Sequence, residues 1–366
     1  MLSEPREEST PLVRRARLWR PRRVLLTRGA AGWAHGRAMA ERAAREGIEV
    51  VELPSDRLAL PREDDPRRAY AAAKNTLAVV VAPPSKRRLQ PIAPSADWRL
   101  DLAEGCPAHC AYCYLAGSLK GPPITRAYAN LPEILAGLSP YLGEGTVTSR
   151  QDARRGEGTT FEASCYTDPL GIEHWTGSLA QTIRFFGAWD EDAQLRFTTK
   201  FDAIEPLLGL AHSGRTRMRA SLNPALFARH EGGTSPVAGR LAALRRMGQA
   251  GYRLGLTVAP IIVEPGWREA YRGLLGDAGA SLNDLPGIDL TVELITHRFT
   301  PTSRAVLGSW YPGSDLDMDP KGRAEKRTKF GSVKHVYDAP TMREIKRFFE
   351  ATVAEALPSA RILYFT

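Results

Sequence analysis

Three of the four cysteines in this 366-residue chain stand within eight residues, in the stretch EGCPAHCAYCYL (104–115). Their spacing, Cys106-x3-Cys110-x2-Cys113, puts three soft sulfur ligands on one short loop. Three thiolates can hold three irons of a [4Fe–4S] cube and leave the fourth iron open to an outside ligand. The alternative is a structural zinc site, which needs a fourth ligand where the chain has no second cysteine pair. His109 lies inside the motif and is the one nearby candidate, wedged between two cysteines. Spacing favours the cube.

The elements around this loop alternate. From about residue 97 the strand-like runs are WRLDL (98–102), TTFEASC (159–165), LRFTTK (195–200), TRMRASLN (216–223), YRLGLTVAP (252–260) and IDLTVELIT (288–296). Helical stretches are expected near 131–142, 176–187, 202–212, 236–250 and 267–279. Strands alternating with helices imply a parallel sheet, and six such units favour an α/β fold of partial (β/α)6 TIM-like barrel type. Chemistry in such a fold sits on the C-terminal rim of the strands, where the cysteine loop leaves the first strand. Residues 1–95 read as a basic arm plus a small α/β extension, with strands at 23–27, 48–53 and 76–82 and a helix at 34–46. Residues 96–300 are the expected barrel. Residues 301–366 carry an expected hairpin at 327–338 and a helix near 340–355, completing the substrate site. The polar segment 145–158 is expected to be an exposed loop.

Cys-x3-Cys-x2-Cys after the first strand of a partial barrel resembles the radical S-adenosylmethionine superfamily. Several further motifs, in order, narrow the resemblance: YANLPEIL, FEASCYTDPLGIEHWTGSL, LRFTTK, GYRLGLTVAPI, ELITHRFT and the terminal YFT. Together with GCPAHCAYCYL they are similar to the spore photoproduct lyase family, from about Tyr70 to Thr366. The first 65 residues match less, and the loop 145–158 is longer than is usual there.

The resemblance implies a [4Fe–4S] cluster on Cys106, Cys110 and Cys113 whose open iron chelates S-adenosylmethionine. It implies a 5′-deoxyadenosyl radical that takes a hydrogen atom from 5-thyminyl-5,6-dihydrothymine, a thymine photoproduct of DNA. The bridging bond then breaks, and a thymine radical must regain a hydrogen atom. Cys165 matches the family's donor of that atom. A thiol suits the task because S–H is a weak bond on a small side chain, although a free cysteine is most often a buried apolar residue. Tyr112 and Tyr114 flank Cys113; they pack as aromatics and, by resemblance, relay hydrogen back towards the cofactor. Thr167 (usually serine), Lys200, Ser221 and Ala259 match the S-adenosylmethionine contacts, a lysine and hydroxyls suiting a carboxylate and a ribose.

On the substrate side, KRTKFGSVKHVY (326–337) interleaves four basic residues with Phe330 and Tyr337. That composition suits phosphate contacts and a wedge beside unstacked bases, as a flipped lesion would need. Lys334 and Tyr337 match the family. Lys329 and Phe330 stand where the pattern has Arg-Tyr, so the charge stays while the bidentate fork and a hydroxyl are lost. His297 and Arg298 follow the last expected strand, either as polar rim groups or as structural packing.

The bulk properties agree with this class. Four cysteines, three of them crowded, do not form a secreted disulfide framework, which points to a reducing, cytoplasmic setting. No apolar run approaches the ~18 residues of a membrane span. A net charge of +9 fits a polyanionic partner. The expected partners are damaged DNA and an electron donor such as flavodoxin or ferredoxin, with the protein a monomer. Two alternatives remain at this level: a related radical enzyme with another lesion or a non-DNA substrate, and a non-catalytic, metal-stabilised DNA-binding protein.

Overall fold

The structure, a computed structural model, describes residues 18–58, 60, 63–117, 123–327 and 333–366. Its main sheet runs Ala96–Leu100, Thr159–Ala163, Ala193–Thr199, Thr216–Leu222, Arg253–Ile261, Leu290–Thr296 and Arg361–Phe365, neighbours in that order and all parallel. Gln90–Ile92 adds an antiparallel strand beside the first. Helices Ser178–Ala188, Val237–Gln249, Trp267–Leu282 and Ala339–Ala356 accompany the strands. The sequence reading gave six strands. The seventh comes from RILYF at the C-terminus, which joins Leu290–Thr296 after the last helix.

Strand alternation divides two environments. In Thr216–Leu222, Met218, Ala220 and Leu222 enter the apolar core, while Arg217 and Arg219 on the opposite face make ion pairs. Inside the curled sheet, Arg219 pairs with Glu162 and, at 2.7 Å, with Glu293. Arg196 reaches the other oxygen of Glu293 at 2.5 Å and the carbonyl of Ser95 at 2.6 Å. Tyr364 on the seventh strand donates to Glu293 at 3.1 Å. The interior is therefore a neutralised polar lattice, not a stack of aliphatic layers.

The segment 145–158 is largely the exposed loop expected, but Val147, Thr148, Arg154 and Glu157 are buried within it. It contains a short turn, Asp152–Glu157, whose Arg154 is 1% exposed. Arg154 pairs with Glu157 at 2.9 Å and donates to the carbonyls of Pro94 and Ser95. Asp97 also holds the segment, accepting from Val147 and Thr148 amides at 2.7 and 3.2 Å. Arg154 and Glu157 can be buried because their charges pair, while Arg150, Asp152 and Arg155 stay exposed. The helix expected at 202–212 is only the turn Glu205–Leu207, because Pro206 supplies no amide donor and Gly209 takes φ +75°. Helix 131–142 stops at Ala136, before Gly137, and the one at 176–187 starts anew at Ser178 after left-handed Gly177.

A second sheet takes three strands from the N-terminal residues and two from either side of the cysteine loop, past the expected boundary at 95; its order is Glu49–Glu52, Arg23–Leu26, Thr76–Val80, Thr125–Tyr128 and Ala103–Glu104. The last two strands bracket the cysteine loop, so this sheet is the platform that carries it. Gly105 sits where the loop departs, at φ +77°; a Cβ there would meet the carbonyl of Ile124 at 2.2 Å. The C-terminal hairpin expected at 327–338 starts earlier, pairing Arg323–Arg327 with Val333–Tyr337.

Glu293 neutralises two buried guanidiniums at once. Glu293→Gln is expected to lower unfolding free energy by about 3–5 kcal/mol, the usual result of stranding a buried charge. Urea denaturation reads this directly; an unchanged midpoint would show that the lattice does not depend on Glu293.

Candidate active site

The cysteine loop is held by its backbone. Lys74, buried at the end of helix Pro66–Lys74, donates to the carbonyl of Cys106 at 2.5 Å and to that of Ala108. His109–Cys110 pairs antiparallel with Glu231–Gly232, and the Ala111 amide donates to the carbonyl of His230 at 2.9 Å. The Cys113 amide closes back on the carbonyl of Cys110 at 3.2 Å. The ring nitrogen Nδ1 of His109 lies 3.0 Å from the Tyr70 hydroxyl. Cys110 is buried; Cys106 and Cys113 are half-buried.

Burial pushes the Cys106 thiol up to about 11, with Lys74 working against it, and Cys110 rises further still. The three sulfurs sense one another's charge, so they share one locality. Among the described residues, no group of three or more His, Cys, Asp and Glu converges on a single-ion site. A cube asks for less convergence than one tetrahedral ion does, because each thiolate takes its own iron. Three soft donors on a backbone-braced loop fit such a cluster.

Beside the loop lies a hub that sequence reasoning missed. The Glu231 carboxylate accepts from Tyr112, from Lys200 at 2.7 Å, from Asn223 at 3.2 Å and from Arg240 at 2.6 Å. Burial would raise this carboxyl, yet Lys200 and Arg240 overcome it and hold it at about 2. The Lys200 ammonium also lies 5.4 Å from the Tyr112 ring centroid and donates to the carbonyl of Ala259 at 3.3 Å. Asn223 donates to that same carbonyl at 3.3 Å. Lys200, Tyr112 and Ala259 are thus brought together through one carboxylate. Ser221 is buried on the neighbouring strand, its carbonyl taken by Arg240. Thr167 offers a buried hydroxyl oxygen with no partner among the described residues, which fits a contact reserved for a bound group. The available signal for Glu231 was its place in HEGGTSP, a charge in a glycine-rich turn between strand and helix.

Cys165 follows the second barrel strand. Ser164 precedes it at φ +57°, a left-handed conformation unusual outside glycine. Two bonds enforce that turn: the Ser164 amide donates to the carbonyl of Leu100 at 2.7 Å, and its hydroxyl accepts from the Leu102 amide at 3.0 Å. The strand entering the cysteine loop therefore fixes where Cys165 sits. Its thiol lies 4.0 Å from the carbonyl of Glu162, and burial pushes it well above the ordinary value. At neutral pH it is S–H.

The remaining predicted residues spread along the mouth. Tyr114 is exposed, with the Arg298 guanidinium 5.4 Å from its ring centroid. Tyr337 is buried; its hydroxyl accepts from the Val263 amide at 2.9 Å, and Arg323 covers its ring at 3.9 Å. Lys334 faces Lys326 across the hairpin. Burial, then repulsion from Arg298 and Lys326, pulls its ammonium below the ordinary lysine value. Lys329 and Phe330 lie outside the described residues. His297 is buried and held down to about 3 by burial, Arg323 and His230, so its imidazole is neutral.

A curled parallel sheet with three cysteines on the loop after its first strand, and a thiol on the next strand's end, defines the radical S-adenosylmethionine partial barrel. The family model described as spore photoproduct lyase matches residues 19–366. The spore photoproduct lyase of a Geobacillus strain is 38% identical over 349 residues, covering 94% of this chain and 98% of that protein. Those of Bacillus subtilis and Clostridium acetobutylicum are 35% and 31% identical at the same coverage. Among solved structures, a spore photoproduct lyase variant with bound AdoMet and dinucleoside spore photoproduct superposes with a TM-score of 0.86. It is 35% identical and covers 96% of this chain and 100% of its own. A second structure, complexed with dinucleoside spore photoproduct, gives 0.86 at 36% identity and the same coverage. The chain belongs to the spore photoproduct lyase family and is a lyase.

Glu231 yields a pH prediction. Its folded carboxyl lies far below the ordinary 4.5, so its stabilisation is complete above about pH 5 and fades as pH falls towards 2. The wild-type advantage over Glu231→Gln should shrink by roughly 3 kcal/mol across that window. Urea midpoints between pH 2.5 and 6 measure it. A difference independent of pH would mean the carboxylate is not held by its cations.

Proposed function

We propose that this chain repairs DNA directly, reverting 5-thyminyl-5,6-dihydrothymine to two thymines. The observation that carries the reading is the likeness, over 96% of this chain, to lyases solved with the dinucleoside spore photoproduct. Cys106, Cys110 and Cys113 would hold a [4Fe–4S] cluster. Thr167, Lys200, Ser221 and the Ala259 backbone would hold S-adenosylmethionine. Together these groups supply, when bound, a carbon-centred radical strong enough to take hydrogen from the lesion.

The chain's own residues then govern the return of hydrogen. Cys165 gives its S–H hydrogen atom to the thymine radical, so the S–H bond breaks as a C–H bond forms. Tyr112, its hydroxyl fixed on Glu231, and Tyr114 serve to pass hydrogen back. The Lys326–Lys334 face of the hairpin, with Tyr337 at its base and Lys329 and Phe330 at positions beyond the described residues, meets the DNA through phosphate charge. A flavodoxin or ferredoxin supplies the electron, and the protein works as a cytoplasmic monomer. No helix among the described residues is long and apolar enough to cross a membrane.

The test is an anaerobic reconstitution with iron, sulfide, reductant, S-adenosylmethionine and lesion-bearing DNA. The parent protein should release thymine, whereas Cys165→Ala should still consume S-adenosylmethionine but divert the product radical to adducts. Deoxyadenosine without thymine from the parent would assign another substrate. Clean thymine from Cys165→Ala would remove Cys165 from the donor role.

A further inference from the structure

The C-terminal hairpin and the segment after the sixth barrel strand form one small antiparallel patch. Arg323–Arg327 pairs with Val333–Tyr337, and Phe299 bridges His335 on the other side, amides donating both ways at 3.2 and 2.8 Å. Alternation divides the side chains between two faces. One face is closed on itself. His297 lies 5.9 Å from Phe299 and Phe299 lies 5.1 Å from His335, ring centroid to ring centroid, while the Arg323 guanidinium covers Tyr337 at 3.9 Å.

The other face carries Arg298, Lys326 and Lys334. Lys326 and Lys334 stand directly opposite each other, and Arg298 lies diagonally from Lys334 across the Phe299 bridge. Ala324, Val336 and Thr300 complete that face, so it offers no carboxylate. None of the three cations has an ion-pair partner among the described residues. Like charges directly opposite one another weaken a strand pair, so folding alone does not account for the arrangement. The Arg298 guanidinium lies 5.4 Å from the ring centroid of Tyr114, which brings this face up to the cysteine loop. Lys326 and Tyr114 are exposed, and Arg298 and Lys334 are half-buried.

We propose that Arg298 completes a phosphate seat with Lys326 and Lys334, taking a backbone phosphate that flanks the lesion on the Tyr114 side of the mouth. This rests on the DNA-repair reading above. A phosphate among the three cations relieves their repulsion, and a guanidinium offers two parallel donors to its oxygens. Contact with the Tyr114 ring holds Arg298 at the mouth and leaves N–H donors for the phosphate. The hairpin lysines alone grip a strand from the rim; Arg298 ties it to the side where the cysteine loop lies.

The test is fluorescence anisotropy of the cluster-reconstituted protein, kept anaerobic and without S-adenosylmethionine. It is titrated into a labelled, lesion-bearing duplex at salt concentrations from about 50 to 200 mM. Each phosphate contact releases counterions and adds about 0.9 to the steepness of log affinity against log salt. Arg298→Gln should reduce that steepness by about 0.9 and weaken binding roughly eightfold at about 100 mM salt. Arg298→Lys should keep the parent slope while binding more weakly, because the charge remains and the fork is lost. A side chain that only packs against Tyr114 would leave the slope unmoved in both variants. Lys334→Gln, on the same face, should also reduce the steepness by about 0.9, which keeps the idea testable if Arg298→Gln folds poorly. A parent slope in Arg298→Gln or Lys334→Gln overturns the proposal, as does an Arg298→Lys slope that falls as far as that of Arg298→Gln. No turnover is read, so a failure of the repair reading shows separately, in the thymine-release assay.

Discussion

The shared carboxylate of Glu293 is the contact on which the rest of the structure depends. An open, curled sheet needs something across its interior, and here the bridge is ionic. Glu293 on the sixth strand gathers Arg219 from the fourth, Arg196 from the third and Tyr364 from the seventh. Arg219 passes the connection to Glu162 on the second strand, three residues before Cys165. Buried pairs of this kind contribute little net stability compared with apolar packing, but their geometry is demanding. Such a lattice suits a fold that must hold separate strand ends in register around a reactive species.

The same economy recurs at the rim. Glu231 holds Tyr112, Lys200, Asn223 and Arg240 on two oxygens, so aromatic, ammonium and amide groups are fixed relative to the cysteine loop. Ser164 joins the strand leading into that loop to the turn bearing Cys165. The N-terminal sheet grips the loop from both ends. Cys165 and the three cysteines of the loop are thereby tied to one backbone frame, and the proposed radical chemistry would depend on such placement because a misplaced donor invites side reactions.

Much of this was legible in the sequence, and the reasons are specific. Cys106, Cys110 and Cys113 declare themselves because their spacing alone limits the chemistry. The strand–helix repeat is visible because each strand carries a continuous run with few breakers. The failures share another cause. Arg154 looked solvated within a polar segment, and only tertiary contact with Glu157 and the Pro94–Ser95 carbonyls explains its burial. Glu231 shows only a charge in a glycine-rich turn and Asn223 shows nothing, because Tyr112, Lys200 and Tyr271, which they bind, come from distant parts of the chain. The terminal RILYF was too short to announce a strand without the sheet edge it completes. At 202–212, helical composition yielded to Pro206 and to the left-handed Gly209.

In the proposed repair, the thiol of Cys165 returns the hydrogen atom to the repaired base. Thiol hydrogens exchange with solvent, whereas carbon-bound hydrogens of the lesion do not. The most direct measurement is therefore repair in heavy water, with the released thymines analysed by mass spectrometry. A single deuterium in one thymine of each repaired pair is the predicted result. Thymines carrying only protium would contradict it.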